Sequence, residues 1–249
     1  MKKILVIITV LVSSFGFSQN EALFDQGNTL YNEGKYAEAI EKYDAILKSD
    51  KHSAELYFNL ANAHYKLNNV APSIYYYEKA LQLSPNDKDI KNNMAFAKNM
   101  TIDAIDVMPE VGFSRLMKSA TNTFSYDNWA YLSVVGIILF VILCIVYYFS
   151  QSTGKKRITF VSSLLFLVLS LVALAFAFHK FEIDKNNKPA IVFAQESQVK
   201  SEPNLRSEEA FKLHEGTKVQ ILDTVNDWKK IKLSDGKQGW IQNKDIKEL

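Results

Sequence analysis

The side chains that usually carry chemistry are sparse in this chain and fall far apart. Four histidines, His52, His64, His179 and His214, share no spacing that would place two imidazoles on one helix turn or one strand face, so metal binding is not expected. The single cysteine, Cys144, lies inside an apolar run, which excludes an intramolecular disulfide and leaves the polar segments without a thiol. There is no glycine-rich phosphate loop, no His-Glu-x-x-His and no Gly-x-Ser-x-Gly. Asp87 and Asp89 stand close together, but at a place that suits the start of a helix, where negative charge meets unpaired N–H groups. The chain is therefore expected to be no enzyme and to use no cofactor. What remains is recognition, through rings and amides at helical spacing and tryptophans at strand spacing.

The elements that must position those groups follow from the distribution of apolar residues. The 29 basic and 27 acidic residues are mixed along the chain and give a net charge of +2, so no footprint for nucleic acid is present. The apolar residues gather in blocks at 4–12, 132–149 and 158–178. The first follows Lys2-Lys3 and gives way to small residues at Gly16 and Ser18, the pattern of a signal peptide over residues 1–18. An uncleaved anchor is the alternative. Residues 129–149 and 158–178 each lack a charged side chain and are long enough to cross a bilayer as helices. The loop between them, 150–157, ends in Lys155-Lys156-Arg157, which places it in the cytoplasm by the positive-inside rule. The expected location is an inner membrane crossed twice, with the N-terminal and C-terminal modules periplasmic.

Residues 20–53 laid on 54–87 match with a period of 34. Gly27-Asn28 meets Ala61-Asn62, and Tyr31, Ile40, Tyr43 and Leu47 meet Tyr65, Ile74, Tyr77 and Leu81. The second copy, with Tyr57, Leu60, Ala61, Ser73, Tyr77, Ala80 and Pro85, resembles a tetratricopeptide repeat; the first is weaker, with Gln26 and Ile46 at positions that usually hold Leu and a small residue. Residues 20–103 then make two repeats and a capping helix. The resemblance implies a concave face for protein or peptide partners, carried by Phe24, Asn28 and Tyr31, by Phe58, Asn62 and Tyr65, and by Asn92 and Phe96. Asn28 and Asn59 match asparagines of repeats that clamp a C-terminal carboxylate, but Phe24 and Asn93 stand where that clamp has basic residues. The aromatics equally suit packing between helices. In Tyr75-Tyr76-Tyr77, the last is expected in the core and the others partly exposed.

Residues 104–128 read as an irregular linker, or as an amphipathic stretch on the membrane through Phe113, Leu116, Met117 and Phe124. After it and the spans, short strands are expected at 190–194, 198–201, 218–222, 228–233 and 239–242, with an Asp235-Gly236 hairpin signal. The strings Asn204-Leu205-Arg206, Asp227-Trp228 and Gly239-Trp240-Ile241 make residues 188–249 resemble a bacterial SH3-like domain. That implies a small barrel with Trp228 and Trp240 as a candidate shelf for peptide or peptidoglycan; the alternative, expected of Trp240, is that a tryptophan fills the barrel.

The fold class is thus multidomain: an all-α helical repeat, a transmembrane helical hairpin and a small all-β barrel. This order resembles the BatE-type proteins of the Bacteroides aerotolerance operon group. The resemblance implies membrane-anchored von Willebrand factor A-type partners, a MoxR-type ATPase system and a role in envelope integrity or oxidative-stress tolerance; the expected function is a scaffold whose repeats grip a periplasmic partner segment while the barrel contacts another protein or the wall. A peptidoglycan-binding sensor is the alternative.

Overall fold

The computed structural model describes residues 19–105 and 112–249; the signal-peptide expectation lies outside them. Five helices come first: α1 (19–32), α2 (Tyr36–Lys48), α3 (Ala54–Lys66), α4 (Val70–Leu83) and α5 (Lys88–Lys98). Local chemistry sets their ends. Ser53 Oγ accepts from the Leu56 N–H, and the Asp87 carboxylate accepts from the N–H groups of Asp89 and Ile90, satisfying donors that the first turn leaves open. Gly34, Asp50 and Asn68 adopt positive φ between successive helices, residue types that tolerate it. Ala61 and Ala80 are fully buried where helices meet closely. The repeat period in the sequence thus becomes two helix pairs and a fifth helix.

After α5 come α6 (Phe113–Thr121), α7 (Tyr126–Phe149) and α8 (Thr153–Asn186). The helices extend beyond the apolar blocks: α7 starts before Trp129, and α8 takes in the basic triplet and continues past Phe178. Backbone hydrogen bonding continues where apolarity stops, so only Ser150, Gln151 and Ser152 of the expected loop are non-helical. The expected linker, too, contains a helix. Both α7 and α8 are long and apolar enough to cross a membrane. Their packing is inverted relative to a soluble core. Ser133, Gly136, Ser163, Ser170, Ala173 and Ala177 are buried, while Val134, Ile138, Ile142, Leu165 and Leu169 are exposed. Ser170 Oγ donates to the Ser133 carbonyl at 2.8 Å. A Cβ on Gly136 would stand 2.9 Å from Ser170 Cβ, so glycine permits this approach.

Seven antiparallel strands follow: β1 (Lys188–Val192), β2 (Glu196–Lys200), β3 (Glu209–His214), β4 (Lys218–Val225), β5 (Trp228–Lys232), β6 (Gln238–Gln242) and β7 (Ile246–Glu248). They pair in the order β3-β2-β6-β5-β4-β1-β7. Two are absent from the expectation: β3 begins in a run of charged residues, and β7 is only three residues long. The inner face is Val192, Val199, Leu213, Val219, Ile221, Ile231 and Ile241.

The repeats and the sheet form one unit, and Met108–Asn187 a second. The join is made by α4, which carries two buried stripes. Ser73, Tyr77 and Ala80 face the repeat interior, as the pattern requires. Val70, Ala71, Ile74, Tyr75 and Glu78 are buried as well, whereas Ala37 and Glu41, their equivalents on α2 at Ala71 and Tyr75, are exposed. The second stripe is covered by the sheet. Ala190 and Val192 point into the sheet core, while Ile191 joins the repeat core with Phe193 and Leu249 packed against it. Phe193 meets Tyr75 edge-on at 5.7 Å, and Lys247 Nζ lies 4.3 Å from the Tyr75 ring centroid. Tyr75, expected to be partly exposed, is 7% exposed for this reason.

Gly216 marks a close approach of the sheet to α4. Its φ is +86°, and a Cβ there would meet Thr101, Ile74 and Val70 at 2.8–2.9 Å. Gly216→Ala combines backbone strain with overpacking and should lower the unfolding free energy by about 1–3 kcal/mol. Hydrogen exchange at Val192 and Gly216, whose amides hold the adjoining turn, should quicken while α7 exchange stays constant. Unchanged stability and exchange would mean that this turn bears no packing load.

Candidate functional site

The concave face of the repeats rests on a ladder of amides. Asn28 Oδ1 accepts from Tyr43 Oη at 2.8 Å and from Asn59 Nδ2 at 2.9 Å. One period on, Asn62 Oδ1 accepts from Tyr77 Oη at 2.5 Å and from Asn93 Nδ2 at 3.0 Å. Burial, together with the charge Tyr31 would carry if ionised, pushes the Tyr43 phenol up to about 12, and burial likewise raises Tyr77. Both phenols therefore keep their protons and donate. The ladder ties each helix pair to the next, and the oxygens of Asn28 and Asn62 are already engaged.

The expected recognition residues divide accordingly. Tyr31, Asn62, Tyr65 and Phe96 gather around a hollow of about 190 Å³, joined by Lys66 and Asn93. Phe96, 60% exposed, is its most open ring. Phe24 and Phe58 lie elsewhere, against Tyr43 and Tyr77 with ring centroids 5.9 and 6.1 Å apart, each at the wall of a separate hollow of about 420 and 370 Å³. Asn28 and Asn59 sit in the ladder, and Asn92 is exposed outside these hollows. Sequence reasoning did not find Lys66. It follows Tyr65 directly, and no periodic signal marks it because its equivalent one repeat earlier is Asn32.

On the sheet, Trp228 pairs with Gln242, and Lys230 with Trp240, so the two tryptophans are diagonal neighbours on one face. That face points outward. Gly239 and Ile241 are buried and Trp240 between them is half-exposed, so Trp240 does not fill the barrel as expected; Ile231 and Ile241 do. Lys200 opposite Trp240 and Lys230 beside it make the surface cationic as well as aromatic.

Polar contacts that no sequence motif marks lock sheet to repeats. Asp103, just beyond α5, accepts from the His214 N–H at 2.7 Å, from His214 Nδ1 at 2.7 Å and from Thr217 Oγ1 at 2.6 Å. The nearly buried Glu78 carboxylate pairs with Lys218 at 2.7 Å and faces Lys98 at 3.9 Å. His64 stacks on Tyr76 at 5.6 Å. Among the described residues no three His, Cys, Asp or Glu side chains gather as metal ligands would.

Residues 24–88 match the family model described as Tetratricopeptide repeat, and residues 197–247 that described as Bacterial SH3 domain. The chain carries both folds. Over 76 residues it is 30% identical to mouse Protein O-mannosyl-transferase TMTC1, a match that covers 30% of this chain and 8% of that protein. The likeness is about two repeats long.

The seam predicts acid sensitivity. Burial raises the Asp103 carboxyl, but the hydrogen bonds from His214 and Thr217 outweigh it and hold the group below its ordinary value. Burial, helped by Lys247, lowers His64 to about 4. Both groups bind protons more readily in the unfolded chain, so each contributes stability that is lost on acidification. The His64 contribution should fade from about pH 6.5 toward 4, and that of Asp103 from about pH 4 downward. Denaturant titrations across pH 7.5 to 3 should show this decline, with His64→Gln flattening the upper part and Asp103→Asn the lower.

Proposed function

We propose that this chain is a non-catalytic, membrane-anchored scaffold whose repeat groove holds a segment of a partner protein on the periplasmic side of an inner membrane. The observation that supports it most is the shared core of repeats and sheet. The repeats precede the two apolar helices and the sheet follows them, yet Ile191 packs among α4 residues. Both parts therefore lie on one side of any bilayer that the hairpin crosses. Lys155, Lys156 and Arg157 stand at the turn between the helices, which favours the cytoplasm for that end. The outward display of Val, Ile and Leu on α7 and α8 suits lipid as the surrounding medium. In the groove, Tyr31, Tyr65 and Phe96 offer ring faces to an extended segment, Asn62 and Asn93 offer amides, and Lys66 favours an acidic side chain. The resemblance to the BatE-type group suggests membrane-anchored von Willebrand factor A-type proteins as partners and a role in envelope integrity or aerotolerance.

The reading is tested by side. With Cys144→Ser as background, single cysteines at Glu38, Gln151 and Lys244 are exposed to a maleimide that reaches the periplasm but not the cytoplasm. Labelling of Glu38→Cys and Lys244→Cys but not Gln151→Cys is the expected result. Labelling confined to Gln151→Cys would overturn the periplasmic scaffold.

A second reading, a sensor that binds peptidoglycan through the sheet, is favoured by the shared outward face of Trp228 and Trp240. Retention of the detergent-solubilised chain on purified sacculi through a salt wash, lost in Trp240→Ala, would support the sensor. Under the scaffold reading the chain washes off.

A further inference from the structure

The hollows beside Phe24 and Phe58 are built to one design, a single repeat period apart. Phe24, Glu21, Ser53 and Leu56 line the first, and their equivalents one period on, Phe58, Glu55, Asp87 and Ile90, line the second. In each, a half-buried ring and a buried aliphatic side chain, Leu56 or Ile90, make an apolar floor. A glutamate stands at the rim, joined by Asp25 in the first hollow and by Asp89 in the second.

These carboxylates differ from the others of the repeats. Glu33, Asp50, Glu78 and Asp103 are paired within the chain. Glu21, Asp25, Glu55 and Asp89 are exposed, and their carboxylates have no partner among the described residues. Asp87 uses only Oδ1 to cap α5, which leaves Oδ2. Of basic side chains, Lys51 and His52 also line the first hollow, and His52 is held by Asp50 and Tyr57. Lys48, Lys88 and Lys91 flank the hollows in sequence but line neither. The lining of the pair is thus acidic, the second hollow more so than the first.

An apolar floor under an acidic rim suits a long cationic side chain. Lys and Arg lay their methylene stems along apolar surface and keep the charged head at its edge, and a ring beside the stem attracts the cation as well. The distance between the hollows sets the spacing. Asn59 on α3 bonds Asn28 on α1, and Asn93 on α5 bonds Asn62 on α3, so these helices are neighbours. Packed helices lie about 8–10 Å apart. A polyproline-type segment advances about 9 Å in three residues and returns to the same face.

We propose that the two hollows bind an extended segment of a partner protein through two Lys or Arg side chains about three residues apart, one in each hollow. This rests on the reading of the repeats as the holder of a partner segment, and it adds a cationic requirement at a place separate from the hollow at Lys66.

The test uses the full chain in a non-ionic detergent and three fluorescein-labelled peptides, followed by anisotropy. One contains Lys-Pro-Pro-Lys, the second places its two lysines side by side, and the third has Glu in place of Lys. The first is expected to bind, and the other two at least about tenfold more weakly. Glu55→Gln with Asp89→Asn should weaken the first peptide about fivefold, whereas Glu38→Gln with Glu41→Gln, on α2 away from both hollows, should leave it unchanged. An equal loss in the α2 variant would reduce the binding to diffuse charge and overturn the inference. Equal binding of the side-by-side peptide would overturn the pairing of hollows, and with it the proposal. If Lys66→Ala abolishes binding and the Glu55 and Asp89 changes do not, the groove reading stands and this inference falls. Binding of none of the three peptides overturns the inference alone, since the side of the membrane and the hollow at Lys66 do not depend on it.

Discussion

The packing of β1 on the outer stripe of α4 is the contact that lets two undersized modules share one core. A repeat array of two helix pairs and a fifth helix falls short of the three or more repeats that usually bury a stable core. A sheet domain of about sixty residues buries little apolar surface by itself. Ile191, Phe193 and Tyr75 remove one another from water across the seam, at about 1.5–3 kcal/mol for a fully buried large apolar side chain. The polar contacts follow from that burial. Once Glu78 is covered it needs Lys218, since an acid buried alone is costly. Asp103 similarly gives the turn at His214 an acceptor that water can no longer supply in full.

The same economy governs the concave face. The Asn28 and Asn62 oxygens each accept from a phenol of their own repeat and from the amide of the next. The floor of the groove is thereby stiff before anything binds, which reduces the ordering cost of recognition. What it leaves for a partner is mainly aromatic. This explains why the asparagine matches to a carboxylate clamp are misleading: the residue types agree, but Asn28 is engaged within the protein and Phe24 is packed on Tyr43.

Much of this was legible because period and pattern are local properties. The 34-residue repeat placed the helices and named both members of each Tyr–Asn pair, though not their bond. The uncharged blocks revealed α7 and α8 but not the helix ends, because apolarity and backbone hydrogen bonding stop at different residues. Trp240 was misplaced because a large aromatic in a short strand suggests a core, whereas strand alternation around Gly239 and Ile241 turns it outward. The seam was the main omission, although it left two traces. Ala190-Ile191-Val192-Phe193 is continuously apolar, as expected of a strand covered on both faces and not of one open to water. Tyr75 on α4 replaces Glu41 of α2 on a face that a repeat ordinarily gives to solvent. Neither trace names its partner, since contacts such as Asp103 with His214 join residues 111 apart.

That separation gives the seam a role in biogenesis. As the chain is made, α4 appears with its outer stripe bare, and the strand that covers it comes only after α8. Until then Val70, Ile74 and Tyr75 form an adhesive surface of the kind that chaperones and proteases inspect. Any arrangement of α7 and α8 that kept β1 away from α4 would leave the stripe open. Closure of the seam therefore reports that the residues between α4 and β1 have brought their two ends back together, and a chain in which they have not done so carries an open apolar stripe.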